Sequence, residues 1–216
     1  MAIVTISRLY GSGGSEVAAR VAQSLGWSLM DNAVVDAVAA RLGVNRDEVA
    51  AREERMPSLV ERLVETMALG SQDWAGAIGG DGKRAPTDAQ VIEVTRHIVD
   101  EAIARGPLVI VGRGAQAMLA ARSDALHVFC FAPRAELISR SMTRDRLTEN
   151  EAARLVDETN DHREQWVRRH WNRAWRDPSN YDLSVNTGSL GIAGASDIIV
   201  AAARMKFGIP GRTAVS

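Results

Sequence analysis

A single cysteine, Cys130, rules out an intrachain disulfide and a cage of several thiolates. Its place in the apolar run 126–131 leads us to expect a buried core thiol, not a nucleophile. The formal net charge is -1, so no global positive field gathers nucleic acid without regard to sequence. No apolar run approaches the roughly 20 residues that span a bilayer. The first seven residues carry no basic leader and no small-residue cleavage site. The expectation is a cytoplasmic protein without membrane or nucleic-acid partners. Lysine is nearly absent as well: Lys83 and Lys206 are the only two among 26 basic residues. Arginine therefore carries almost all of the positive charge, and its planar fork suits bidentate contact with phosphate.

What is present is ordinary for a folded domain, with 46% hydrophobic and 25% charged residues over 216 positions. We find no internal repeat and no low-complexity tract. Residues 2–7 form a short β-branched run that ends in Gly11-Ser12-Gly13-Gly14, and residues 16–25 follow with helical apolar spacing. Residues 27–30 suit a second strand, 34–42 a helix, and 46–69 a helix interrupted at Pro57. Residues 70–88 hold five glycines and a proline with little periodicity, which reads as a loop. A helix is expected over 91–104, a fully buried strand over 108–111, and another over 127–131. Helices over 133–142 and 149–175, a break at 143–148, a strand over 183–186 and a helix over 195–207 complete the chain. Strands alternating with helices imply an α/β fold, with a central parallel sheet of about five strands between two helical layers. Ligands of such sheets bind at the carboxyl ends of the strands.

The glycine loop after the first strand is the strongest local signal. Glycines let several N–H groups turn into one concavity, and the next helix adds its positive N-terminal end, so anions are favoured. The full Walker pattern G-x-x-x-x-G-K-[ST] adds a lysine for the β- and γ-phosphates and a hydroxyl for Mg²⁺. Here Arg8 falls on the first glycine, Gly14 on the lysine, and Ser15 on the hydroxyl. Arg8 is the nearest cation able to replace the missing lysine. His97, His127, His162 and His170 show no metal-ligand spacing, and Trp166, Trp171 and Trp175 read as helix packing.

The run Ser7-Arg8-Leu9-Tyr10-Gly11-Ser12-Gly13-Gly14 resembles the opening of the cytidylate-kinase-like family. The strand ending in Gly112-Arg113-Gly114, the Arg-rich segment 134–146, Arg163, and Tyr181-Asp182-Leu183 before Asn186-Thr187 extend the resemblance in order along almost the whole chain. It implies one P-loop kinase domain over 1–216: a core at 1–31, 105–135 and 176–208, a helical region for a nucleoside monophosphate at about 32–104, and an Arg-bearing lid at about 136–160. By the same resemblance Arg8, Arg113 and Arg163 are catalytic. Gly11, Ser12, Gly13, Gly14, Ser15, Arg140 and Arg144 hold the phosphates of ATP, and Asp31, Asn32 and Arg113 face the acceptor. Ser15 meets the Mg²⁺ that accompanies ATP, and a homodimer is left open.

The chain departs from the family pattern at several places. Asn160 stands where an acid usually precedes Arg163 by three residues, and Ala37 stands at an arginine of the acceptor site. Val111 and Gly114 occupy the places of strand-end carboxylates. The reading that follows is phosphoryl transfer from ATP to a nucleoside monophosphate, CMP or a related pyrimidine nucleotide. Two alternatives stand beside it: a nucleotide-binding sensor without turnover, and a kinase of another small metabolite.

Overall fold

The structure, a computed structural model, describes residues 1–31, 87–112 and 114–210. In chain order these form β1 (Ile3–Arg8), α1 (Gly14–Leu25), β2 (Ser28–Met30), α2 (Asp88–Arg105), β3 (Leu108–Val111), α3 (Ala115–Met118) and β4 (Ala125–Phe131). Then come α4 (Arg134–Asp145), α5 (Glu149–Trp171), a single 3-10 turn, β5 (Leu183–Asn186) and α6 (Thr187–Phe207). The five strands make one parallel sheet in the order β2-β3-β1-β4-β5. β1 is central, with Ile3 opposite Leu108 on one side and Ala125 on the other. The chain winds to the β2 edge first and to the β5 edge afterwards, so the carboxyl end of β1 lies at the reversal, where such sheets bind ligands.

Alternation along β1 explains the two covering layers. Val4 and Ile6 turn to Val17 and Val21 of α1 and to Ile199 and Ala203 of α6. Ile3 turns to the opposite face, against Val99 and Ile103 of α2 and Ala115 of α3. All of these side chains are buried. Among the described residues this is the three-layer arrangement, with helices on both faces of a parallel sheet, that the strand and helix alternation implies.

Several boundaries differ from expectation, each for a local reason. The helix expected over 149–175 ends at Trp171, where Asn172 takes a left-handed conformation (φ 52°), so Trp175 stands outside it. Arg146 (φ 56°) closes α4 in the same way, and α4 runs on to Asp145. α6 starts at Thr187, eight residues before the expected position, because Asn186 caps it through the N–H groups of Gly188 and Ser189; a kink at Gly191 (φ 66°) hid that first turn. Asp88, expected at the end of a loop, opens α2 behind a capping box between Thr87 and Gln90. The expected helices at 34–42 and 46–69, and nearly all of the loop at 70–88, lie outside the described residues.

Cys130 is fully buried, and burial pushes its thiol up to about 12, which makes it inert. His127, on the neighbouring face of β4, has Nδ1 2.7 Å from the Thr5 hydroxyl of β1. Burial lowers its pKa; Asp182 opposes that shift, and Lys206 and Arg173 add to it. The folded chain therefore binds this proton more weakly than the unfolded chain does. The contribution of the neutral ring is complete above the ordinary value of about 6.5 and is lost progressively below it, as the pH falls through the lowered pKa of the folded chain. His127→Gln is expected to flatten the decline in unfolding free energy between about pH 7.5 and about pH 5, read by urea titration. The comparison isolates this ring from His170, whose pKa burial also lowers. Equal slopes in the two proteins would contradict the assignment.

Candidate active site

The site grows from the end of β1. After Arg8 the backbone turns through Gly11 (φ 79°) and Gly13 (φ 73°), both left-handed, and enters α1 at Gly14. Gly13 is the N-cap, and no side chain caps α1. Its first-turn N–H groups thus face the mouth of the loop as donors for an anion. Ser15 is exposed in that same turn.

Two neighbouring helices hold the loop in shape. Ser12 donates its N–H (3.2 Å) and its hydroxyl (2.7 Å) to the Leu9 carbonyl. The Ser12 carbonyl accepts from Thr187 Oγ1 at 2.6 Å and from Arg140 Nη1 at 3.0 Å. Arg140 Nη2 also donates to the Thr187 carbonyl at 2.9 Å. The fork of Arg140, expected on ATP phosphates, thus ties α4 to the loop and to the start of α6.

Tyr10 is a second fastening. Its N–H donates to Asn160 Oδ1 at 2.8 Å and its hydroxyl to Asp145 Oδ2 at 2.9 Å. Arg144 grips Asp145 with two 2.9 Å bonds and places its guanidinium 4.5 Å from the centre of the Tyr10 ring. Burial raises the Tyr10 pKa, and the bond from Arg144 lowers that of Asp145. Arg163 lies 5.8 Å from the same ring and donates Nη1 to the Arg8 carbonyl at 2.9 Å.

Arg8 leads from the loop toward β3. Its fork lies over Gly112, where a Cβ would collide with Nη1, and Nη2 is 3.8 Å from Asp31 Oδ1 at the end of β2. Both side chains are largely buried, at 13% and 15% exposure, which places this charge pair inside the crevice. Asp31 Oδ1 has no hydrogen-bond partner among the described residues. An open cleft lies beside this pair, lined by Arg8, Arg163, Gly112, Gln116, Trp166 and Trp175. Asn32 and Arg113 lie outside the described residues, but Gly112 (φ 67°) and Gly114 (φ 65°) on either side of position 113 are both left-handed.

Thus Arg8 links these features at the carboxyl ends of β1 and β3: its stem lies against Gly14, its fork reaches Asp31, its carbonyl accepts from Arg163, and the two arginines line the crevice together. The sequence model of the cytidylate kinase-like family matches residues 3–189. The chain belongs to the cytidylate kinase-like family. Family and fold together support phosphoryl transfer as the general class of chemistry.

Solved structures agree with this kinase-like fold. An uncharacterized protein from Eubacterium ventriosum superposes with a TM-score of 0.65 at 18% identity, covering 94% of this chain and 98% of its own. TT1252 from Thermus thermophilus gives 0.50 at 23% identity, covering 97% and 98%. Shikimate kinase from Bacteroides thetaiotaomicron gives 0.51 at 12% identity, covering 96% and 99%. No curated protein matches the chain.

Within this cytidylate kinase-like chain, sequence reasoning passed over Asn160 and Thr187 as structural partners of the loop. Asn160 lies 150 residues from the amide it holds, and no local pattern marks it. Trp166 and Trp175 are buried, as packing residues should be, yet both also wall the crevice. Trp175 meets Phe129 edge-on at 5.5 Å. Two oxygens suit Mg²⁺: the exposed Ser15 hydroxyl and the buried Asp31 Oδ1, which has no hydrogen-bond partner among the described residues. No group of three or more His, Cys, Asp or Glu that could hold a metal occurs among the described residues. That donor set suits an ion carried in with nucleotide phosphates and water. No helix among the described residues is long and apolar enough to cross a membrane.

Proposed function

We propose that this protein transfers the γ-phosphoryl group of ATP to a nucleoside monophosphate, CMP or a related pyrimidine nucleotide. The observation that carries the proposal is the position of Arg8, which lines the crevice with Arg163 while its stem lies against Gly14 in the uncapped first turn of α1. The loop amides at residues 11–15 hold the donor phosphates. Arg8 and Arg163 offset the charge that develops on the transferring group, and Arg113 holds the acceptor phosphate together with Asp31 and Asn32. Positioning and charge compensation suffice, because the acceptor phosphate oxygen is itself the nucleophile. Mg²⁺ neutralises nucleotide phosphate charge when bound; Ser15 would hold it directly and Asp31 through water. Arg140 and Arg144 shape the loop and so act on the phosphates through its backbone. Segments 32–104 and 136–160 correspond to the acceptor region and the lid, and the reaction is placed in the cytoplasm.

The test is ADP release by purified protein with Mg²⁺ and ATP across a panel of nucleoside monophosphates. ADP is expected with an accepting monophosphate and not without one, and Arg113→Ala is expected to abolish most of it. ATP binding with no ADP for any monophosphate would sink this reading in favour of a nucleotide sensor or another acceptor.

A further inference from the structure

The two departures from the Walker pattern are neighbours in space. A Cβ on Gly14 would collide with Arg8 Cβ, and it would stand 2.9 Å from Arg8 Cγ and 3.4 Å from Cys130 Cβ. The obstacle is the root of the arginine, fixed to the backbone of β1, and not a tip that can swing aside. Gly14 is not among the positive-φ glycines, so its backbone would accept any L-residue in the first turn of α1. Nothing in the loop's own conformation asks for glycine there. Arg8 does.

We infer that Arg8 and Gly14 are a reciprocal exchange of the two Walker positions, in which the cation is delivered from the end of β1 and glycine at 14 is the space its stem requires. The exchange accounts for both departures together. Glycine at 8 with lysine at 14 would read Gly-Leu-Tyr-Gly-Ser-Gly-Lys-Ser, the complete pattern. Arg8 carries its charge over Gly112 to Asp31, so the cation spans from the loop to the β3 crevice. The nucleotide half of this inference rests on the proposed phosphoryl transfer; the steric half does not.

Two readouts separate the halves. The first is thermal unfolding. Gly14→Ala is expected to lower the midpoint by about 5 °C despite alanine's better helix propensity. In an Arg8→Gly background the same change is expected to be neutral or stabilising, because the collision is gone. In an Arg8→Ala background the penalty is expected to persist, since the Cβ remains. The second is ATP binding by titration. Arg8→Gly is expected to weaken it about 30-fold, the loss of one charge-assisted contact. Arg8→Gly/Gly14→Lys is expected to return it to within about threefold of the parent, since the lysine restores that contact. Gly14→Lys alone is expected to melt early and bind ATP no better than the parent. Gly14→Ala melting like the parent, or a double variant no better than Arg8→Gly, would overturn the exchange. A parent protein that binds no ATP would overturn the phosphoryl-transfer reading and the delivery of the cation, while the unfolding series still decides the exclusion.

Discussion

Gly11→Ala is expected to lower the stability of the protein by about 3 kcal/mol and its unfolding midpoint by about 9 °C. Two costs add. Gly11 sits at φ 79°, a conformation that costs an L-residue about 1–2 kcal/mol. A Cβ there would also run into the Leu137 carbonyl and come within 2.9 Å of Ser141 Oγ. That carbonyl already accepts from Ser141 at 2.8 Å inside α4, so helix backbone would have to move. Overpacking of this kind costs about 1–3 kcal/mol. The loop would lift off α4, taking with it the geometry held by Tyr10 and Arg140, so ATP affinity should fall in step with stability. Gly26 is the control, with φ 68° and nothing within 4 Å of an added Cβ. Gly26→Ala should show the backbone cost alone, about 1 kcal/mol. Thermal unfolding followed by far-UV circular dichroism reads both. Equal shifts for the two variants would mean that α4 does not press on the loop in solution.

The sheet was easy to read from the chain because a strand buried on both faces must be continuously apolar. Leu108–Val111 stands where that pattern put it, the alternating edge strand Leu183–Asn186 also stands where it was expected, and the glycine turn that must follow a central strand marked the crevice. Helix ends were harder, since Arg146 and Asn172 adopt left-handed conformations that side-chain type does not announce. The arginines were harder still. Segment 134–146 is Arg-rich, and composition alone treats Arg140 and Arg144 as equivalent phosphate ligands. Their partners separate them: Ser12 lies 128 residues from Arg140, while Arg144 closes on its own neighbour Asp145 and the Tyr10 ring. A local pattern cannot carry contacts of that span. It did carry Arg8 and Gly14 as two departures within one motif, although only the fold shows that a side chain at 14 would compete with the Arg8 stem for the same space.

Arg163→Ala is expected to reduce kcat of the proposed reaction by about 10²–10³-fold while leaving most of the stability intact. Arg163 makes a 2.9 Å bond to the Arg8 carbonyl and lies beside the Tyr10 ring, at the wall of the crevice. Losing one bond to a backbone carbonyl accounts for about 1 kcal/mol of folding. The much larger kinetic loss would have to come from charge presented to the transferring phosphoryl group. Equal falls in kcat and kcat/KM would place the interaction in the transition state, whereas a rise in KM with kcat unchanged would place it in ground-state binding. Arg163→Lys should recover less than about tenfold, because a single ammonium cannot hold the Arg8 carbonyl and present a second N–H to phosphate at once. A lysine variant as fast as the parent would reduce Arg163 to a positive point charge and remove the case for its fork.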